Sequence, residues 1–553
     1  MEKIKVRINN NIIEVIKGTN CYQIMQQYNI EKKVPIGLVK INGDLKELST
    51  EVVEDCTLEY VDINNKLAMM TYIRSLQFIF IKAVHDLFPE AKVVIEHSLS
   101  KGLFGEIYKE EPLVIDDVYD IKNRMYQIIE KDIIISKKVY SKSEAVEQFR
   151  KASMLDKVTI FEQVAQDEVS IYSLEDMIDY FYGPMVYSTG QVKNFDVIYY
   201  DPGFILRFPT IENPMEIPRF QSNKKLGRIF YEAEKWGDIL NVGHVGALNN
   251  VIESGETNIV TLVRVAEALH EKKIANIADK INKNRSIKLI SIAGPSSSGK
   301  TTFCKRLGIQ LRVNGMVPVE ISLDDYFIDR EFTPRDEFGE YDFESINALD
   351  LQLFNEHLNR LMNGEEVEIP SYNFITGKRE WVGNKISLPS NGVIVIEGIH
   401  GLNEKLTESI SSEHKFKIYI SPLTQINMDE HNRIATTDVR MVRRIVRDYL
   451  SRGYDVEYTL RMWASIRRGE DKNIFPFQEE ANVIFNSALI YELAVLKKFA
   501  LNELYKVDKT SCVYDEARRL IEFLHFFKEI DIDVVPTNSL IREFIGGSCF
   551  YKY

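Results

Sequence analysis

Apolar and polar residues alternate with a period of two in KIKVRI and NIIEVI, which predicts two short strands joined by a turn at Asn9-Asn10-Asn11. TNCYQIMQQYN shifts to helical spacing behind Thr19, the predicted N-cap, and GLVKING and CTLEYVDI return to strands. Residues 1–62 therefore read as a small β-rich module. LAMMTYIRSLQFIFIKAVHDLFP reads as a strongly apolar helix stopped at Pro89. AKVVIEHSL, PLVIDDVY, VSIYSL and FDVIYYDPGFILRFP are predicted strands, so residues 65–210 form an α+β unit. Residues 211–283 are polar and helical, with the amphipathic run IVTLVRVAEALHEKKIANIADKI, and read as a connector. From 284 to 553 apolar strands alternate with helices, the pattern of a parallel sheet with crossover helices. The expected fold class is thus multidomain, ending in an α/β domain.

Composition narrows the picture. A length of 553 residues suits about three or four domains. The apolar share of 45% excludes a mostly disordered chain. The formal charge of −13 weighs against a general binder of nucleic acid or anionic membrane. No uninterrupted apolar run reaches the ~18 residues of a membrane helix, and MEKIKVRINN lacks the apolar core of a signal peptide. Cys21, Cys56, Cys304, Cys512 and Cys549 are scattered without a CxxC, which argues against structural zinc. These features lead to the expectation of a cytoplasmic protein with no membrane partner.

The strongest chemical signal is GPSSSGKT, which fits G-x-x-x-x-G-K-[ST] between an apolar strand, IKLISIA, and a helix, TTFCKRLGIQLRVNG. Gly294 and Gly299 let the backbone curl so that successive amides face one anion, with Pro295, Ser296, Ser297 and Ser298 between them. The helix starting near Lys300 aims its positive end at the same place. Lys300 is expected to reach the phosphates and the Thr301 hydroxyl to ligate Mg²⁺, with Thr302 completing the nucleotide-binding stretch. ATP and Mg²⁺ are the cofactors this motif implies.

Three further elements follow. NGMVPVEISLDDYF puts Asp324 and Asp325 at the end of a strand, where ligands bind in open parallel sheets. GVIVIEGIHGLN reads as a buried central strand ending at Glu397, a carboxylate placed to hold Mg²⁺. In TTDVRMVRRIVRDYLSRG, Arg440, Arg443, Arg444 and Arg447 share one helical face, opposite Val442, Ile445, Val446 and Tyr449. Such a stripe could face an anion or be neutralised by acids such as Asp438 and Asp448.

Taken in order, GPSSSGKTTF, SLDDYF, YDFESINALD, EIPSYNF, VIVIEGIHGL and TDVRMVRRIVRD resemble the uridine kinase and phosphoribulokinase family of P-loop kinases over most of 287–490. The resemblance implies that Asp324 is the catalytic base and that Glu344 and Tyr372 bind the acceptor, with Arg440 beside them. It further implies that Glu397 is associated with Mg²⁺ and that Arg443, Arg444 and Arg447 are lid arginines. Two positions depart from the uridine kinase pattern: Gly377 stands where a base-reading His is usual, and Tyr458 stands for a base-contacting Gln. The expected function is phosphoryl transfer from ATP to a small-molecule hydroxyl, with the 5′-hydroxyl of uridine or another nucleoside first and a sugar phosphate or other metabolite second.

Residues 1–62 resemble the TGS domain of threonyl-tRNA synthetases and some GTPases. Residues 72–208 resemble the synthetases' editing-type domain, through AVHDLFPEAKVVIEHSLSKGLFGEIY and DYFYGPMVYSTGQVKNFDV. The family's two metal-binding pairs correspond here to Arg74 and Phe78, and to Phe181 and Met185. None of the four is a good zinc ligand, so no zinc and no editing hydrolysis are expected, and His85 and His97 read as ordinary histidines. These units leave open an RNA- or ribosome-associated NTP-dependent regulator, with a basic patch such as Lys224 and Lys225 in contact with RNA. Near the C-terminus, NSLIREFIGGSCFYKY joins a helix to Gly546-Gly547, read either as a helix cap or as a loop that closes the kinase site.

Overall fold

A computed structural model describes residues 2–9, 11–337 and 339–551; Asn10, in the middle of the predicted first turn, lies outside them. The chain folds into two compact units.

The first unit takes the chain up to Asn223, together with His244–Gly246 and Asn427–Arg433. It opens with β1 (Lys3–Ile8), β2 (Asn11–Ile16), α1 (Cys21–Gln27), β3 (Ile36–Ile41), β4 (Asp44–Glu47) and β5 (Cys56–Asp62). The strands form one mixed sheet in the order β2-β1-β5-β3-β4, with β1 and β5 parallel. The N-cap of α1 is Asn20 rather than Thr19, because the Asn20 side chain accepts the Gln23 amide at 2.8 Å and Gln23 reaches back. Next come α2 (Lys66–Leu87), β6 (Lys92–Leu99), β7 (Gly102–Tyr108), α3 (Ile115–Glu130), β8 (Ser136–Ser141), α4 (Lys142–Lys151), α5 (Leu155–Gln163), β9 (Glu168–Leu174), β10 (Met177–Asp179), β11 (Asp196–Tyr200) and β12 (Gly203–Arg207). PLVIDDVY, a predicted strand, is instead the start of α3. Asp117 accepts the Val114 amide at 3.0 Å, and Val118, Ile121, Met125, Ile128 and Ile129 continue the buried helical stripe. By length and composition α2 could cross a membrane, but most of its apolar stretch is buried inside this unit against residues such as Phe181, Phe204 and Val197. The unit also buries a polar cluster in which Lys157 sits 3.2 Å from both Asp179 and Asp429, and His431 lies 2.6 Å from Asp179.

The second unit carries α6 (Lys224–Ile239), most of α7 (Val245–Glu253), α8 (Glu256–Lys283), β13 (Leu289–Ala293), α9 (Lys300–Val313), β14 (Val317–Ser322), α10 (Leu351–Met362), β15 (Val367–Asn373), β16 (Lys378–Ile386), β17 (Gly392–Glu397), β18 (Lys415–Ser421), α11 (Thr436–Arg447), α12 (Val456–Asn473), β19 (Val483–Asn486), α13 (Glu492–Leu504), α14 (Tyr514–His525) and α15 (Arg542–Ile545). Five strands form an all-parallel sheet in the order β14-β17-β13-β18-β19. β13 and β17 are buried along their whole length, as central parallel strands covered on both faces must be. α9 packs on α8, where Arg306 pairs with Glu267 at 3.1 Å and Glu271 at 2.8 Å. The register sets Glu397 of β17 opposite Ile292 of β13 and Ser322 of β14. The ends of three neighbouring strands therefore meet at one edge of the sheet, and every candidate catalytic group stands there or on the helices above it.

Candidate functional site

The turn after β13 is shaped by its glycines. A Cβ on Gly294 would lie 2.1 Å from the Ile420 carbonyl oxygen, so β18 leaves room only for glycine. Ser297 and Gly299 both adopt left-handed backbone, with φ of 60° and 86°, which turns the chain into an amide-lined cradle ahead of α9. The hydroxyls of Ser297 and Ser298 are buried and have no hydrogen-bond partner among the described residues. Lys300 folds back to donate to the Pro295 carbonyl at 3.3 Å.

Thr301 and Ser322 donate to the same oxygen of Glu397, at 3.3 and 3.0 Å. Burial, then the charge of Asp324, pushes the Glu397 carboxyl up to about 7, while Lys300 pulls it down. A threonine hydroxyl and a carboxylate on one oxygen are the donor set Mg²⁺ takes beside phosphates, so the residues present fit the cation the motif implies. Asp324 and Asp325 occupy a tight turn just past β14. Asp325 accepts the Tyr372 amide at 3.2 Å, and burial, reinforced by Asp324, raises it to about 6. Asp324, Lys300, Thr301 and Glu397 line one cavity of about 460 Å³.

The other wall of that cavity carries Phe327, Tyr372, Phe374, Tyr454 and Tyr458. Phe327 and Tyr372 have ring centres 5.5 Å apart, and Tyr454 stacks on Tyr458 at 4.7 Å. Gly377 sits in the β15–β16 turn at φ 70°, with Arg330 packed where a Cβ would point, so a histidine at this position would be strained. Glu344 is buried against α12 at Gly469, where an added Cβ would lie 2.3 Å from the Glu344 Cβ. One of its carboxyl oxygens has no partner among the described residues.

Burial, then Glu470, raises the Glu344 carboxyl to about 8, against the pull of Arg444, Lys300 and Arg440. This lies above the ~4.3 of an unfolded glutamate. The folded chain therefore binds a proton that the unfolded chain releases, and the stability this site contributes falls as pH rises from about 4.5 to 8. Glu344→Gln, neutral at every pH, should melt above the parent at pH 8.5 in thermal denaturation, with the gap closing towards pH 5. A gap that does not change with pH would contradict this.

The arginine stripe divides into two roles. Arg444 and Arg447 line the cavity; Arg444 donates to the Ser296 hydroxyl at 2.7 Å, and both pair with Asp448, at 3.1 and 2.6 Å. Arg440 and Arg443, expected beside the acceptor and over the nucleotide, are not among the residues lining this cavity. Both are fully buried behind the turn, where Arg440 pairs with Glu470 and Arg443 with Glu492. They donate to the carbonyls of Ser296 at 3.0 Å and Ser297 at 3.4 Å, bracing the loop from outside. Asp438 is engaged by Arg519 at 2.7 Å, and Tyr449 is half-exposed rather than part of the apolar face.

Among the lining residues not expected from the sequence are Phe327, Phe374 and Tyr454 on the aromatic wall and the charged Arg330, Arg452 and Glu543. Arg330 comes from the loop after β14, Arg452 from the wide turn that extends α11, and Glu543 from α15. Burial and the neighbouring Arg447 lower Arg452 to about 10, and its guanidinium lies 4.5 Å over the Phe374 ring. Glu543 belongs to the stretch NSLIREFIGGSCFYKY, one reading of which is a loop that closes the site, whereas Arg452, five residues beyond Arg447, falls outside the i+3 and i+4 spacing of the arginine stripe.

In the first unit the four residues at the synthetases' metal positions are engaged otherwise. Arg74 donates to the Pro184 carbonyl at 2.5 Å, Phe78 packs on Phe181 at 5.2 Å, and Met185 takes a contact from the Ser75 hydroxyl at 3.9 Å. No group of three or more His, Cys, Asp or Glu side chains suited to a metal occurs among the described residues. The His97 ring lies 4.9 Å from that of Phe104, and loss of solvent around the imidazole lowers its pKa to about 3. In the second unit, Lys225 donates to the carbonyls of Glu479 and Ala481, at 2.7 and 2.8 Å.

A parallel sheet ending in this cradle, with a carboxylate on the next strand, defines a P-loop phosphate-binding domain. Residues 289–491 match the model of the phosphoribulokinase / uridine kinase family. The N-terminal region matches threonine–tRNA ligases. Identity is 26% over 215 residues with the probable cytoplasmic threonine–tRNA ligase of Encephalitozoon cuniculi, covering 39% of this chain and 33% of that protein. It is 31% over 159 residues with the enzyme of Pelobacter propionicus, covering 29% and 25%. This chain thus spans a third or less of the length of these relatives. Among solved structures, a possible uridine kinase from Bacillus stearothermophilus shares 21% identity at a TM-score of 0.24, over 36% of this chain and 88% of that one.

Proposed function

We propose that this chain is an ATP- and Mg²⁺-dependent kinase that phosphorylates the hydroxyl of a small molecule, the 5′-hydroxyl of uridine or another nucleoside. The observation that carries the reading is the single cavity in which Lys300, Thr301, Glu397 and Asp324 meet and which continues onto an aromatic wall. The match of residues 289–491 to a kinase family supports it.

Phosphoryl transfer through a loose transition state asks the protein mainly to position groups and offset negative charge. The amides from Gly294 to Thr302 and the Lys300 ammonium hold the phosphates. Thr301 and Glu397 would hold Mg²⁺, which would offset the negative charge that develops during the transfer. Asp324 accepts the proton of the attacking hydroxyl. Arg444 and Arg447 cover the transferring group. Glu344 and Tyr372 bind the acceptor, and Tyr372, Phe374, Tyr454 and Tyr458 offer rings on which a base can stack.

A phosphorylated sugar is the second candidate acceptor. Arg330 and Arg452 line the cavity, and neither forms an ion pair among the described residues, so a second anion there would be matched by cations. An ATP-consumption screen over nucleosides, sugars and sugar phosphates is expected to give turnover with a nucleoside. Turnover confined to sugar phosphates would replace the first acceptor by the second, and none with any hydroxyl compound would contradict the kinase. In this reading residues 1–62 and 65–210 are TGS-like and editing-like modules without hydrolytic chemistry, the protein works in the cytoplasm, and any RNA contact runs through those modules.

A further inference from the structure

The helix that begins the phosphate site has no side chain at its cap. Gly299 offers none, so the first amides of α9 are left for an anion. One is already supplied by the chain. Glu543, 241 residues away in α15, accepts the Thr302 amide at 3.0 Å and the Thr302 hydroxyl at 2.9 Å through one carboxylate oxygen. Glu543 is 8% exposed and lines the same cavity as Lys300, Asp324 and Glu397. It forms no ion pair among the described residues, so the amide and hydroxyl of Thr302 are what hold its charge. The Tyr551 hydroxyl, 2.5 Å from the Thr302 Oγ1, covers the same spot.

The segment around Glu543 is firmly seated. Leu540 is buried in the core beside β13 and α9. Arg542 donates to the carbonyls of Ile532 and Val535, at 2.9 and 2.6 Å. Arg443 lies 5.0 Å over the Phe544 ring. Gly546 and Gly547, at φ of 80° and 70°, then turn the chain back. The backbone is fixed, while the Glu543 side chain keeps rotatable bonds that can carry its carboxylate off Thr302.

The amides at this helix start are those a phosphate chain uses, and two anions cannot share them at close range. We propose that Glu543 is an internal competitor for the phosphate site: its carboxylate caps α9 until nucleotide phosphates displace it, and so it sets the affinity of the site. The proposal rests on the phosphate-site reading above.

Glu543→Gln keeps the shape and an acceptor for Thr302 but removes the charge. In calorimetric titrations with Mg-ATP and with tripolyphosphate, the variant is expected to bind both about tenfold more tightly than the parent, equivalent to about 1.4 kcal/mol. Glu543→Asp, with its carboxylate drawn back, is expected to fall between the two. Equal or weaker binding by the variants would overturn the proposal and leave the phosphate site standing. No binding by parent or variants would overturn both. Melting supplies a second readout: Glu543→Gln should melt below the parent without nucleotide, and the difference should vanish at saturating Mg-ATP. An equal deficit in both conditions would make Glu543 a structural brace and overturn the proposal.

Discussion

Asp324→Asn should lower kcat by about 10²–10⁴-fold, the range over which a positioned general base contributes, while Mg-ATP still binds. The side chain keeps its size, and the turn that carries it stands on β14, whose Ser322 is held opposite Glu397 by the sheet register. Loss of the carboxylate would remove the proposed proton acceptor without disturbing the cradle on β13. Steady-state kinetics with the acceptor found in the screen, alongside Mg-ATP titration, separates the two effects. Parent-like turnover would remove Asp324 from the role of base.

Lys300→Ala should lower kcat/KM by about 10²–10³-fold, the cost of deleting one preorganised donor to developing charge, and should also weaken Mg-ATP binding. Among the described residues Lys300 donates to the Pro295 carbonyl within its own loop, at 3.3 Å, so its truncation leaves the core untouched. Its positive charge also restrains Glu397 and Glu344, whose carboxyls should rise further in the variant. An unchanged circular dichroism spectrum with both kinetic losses fits this role. Undiminished nucleotide affinity would contradict it.

The difference between what could and could not be read from the chain follows from sequence distance. The cradle was legible because its requirements are local: a glycine under the Ile420 carbonyl, a left-handed Gly299 and a lysine opening a helix fall within seven residues. Asp324 and Glu397 were legible because one stands just past the end of a predicted strand and the other ends an apolar one. The arginine stripe lies on α11, where Arg440 and Arg443 pair with Glu470 and Glu492, which arrive from α12 and α13, while Arg444 and Arg447 pair with Asp448. Periodicity reports a face and does not say what covers it. The stretch around Glu543 was one that could close the kinase site, but its contact with Thr302 forms only through tertiary folding, so no local pattern singles out that residue. In the first unit, PLVIDDVY carries strand-like residues whose fate is settled by the Asp117 capping contact and by the buried stripe that follows it. Asn20, adjacent to the predicted Thr19, was an equally good cap by residue type.

The central claim is that the turn from Gly294 to Thr301 holds a nucleotide's phosphates beside Asp324. A crystal structure of the full chain with Mg²⁺ and a non-hydrolysable ATP analogue tests it most directly. The triphosphate is expected in that turn, with Lys300 on its oxygens and the cation beside Thr301 and Glu397. A turn without phosphate density at saturating analogue, or an analogue bound elsewhere, would contradict it.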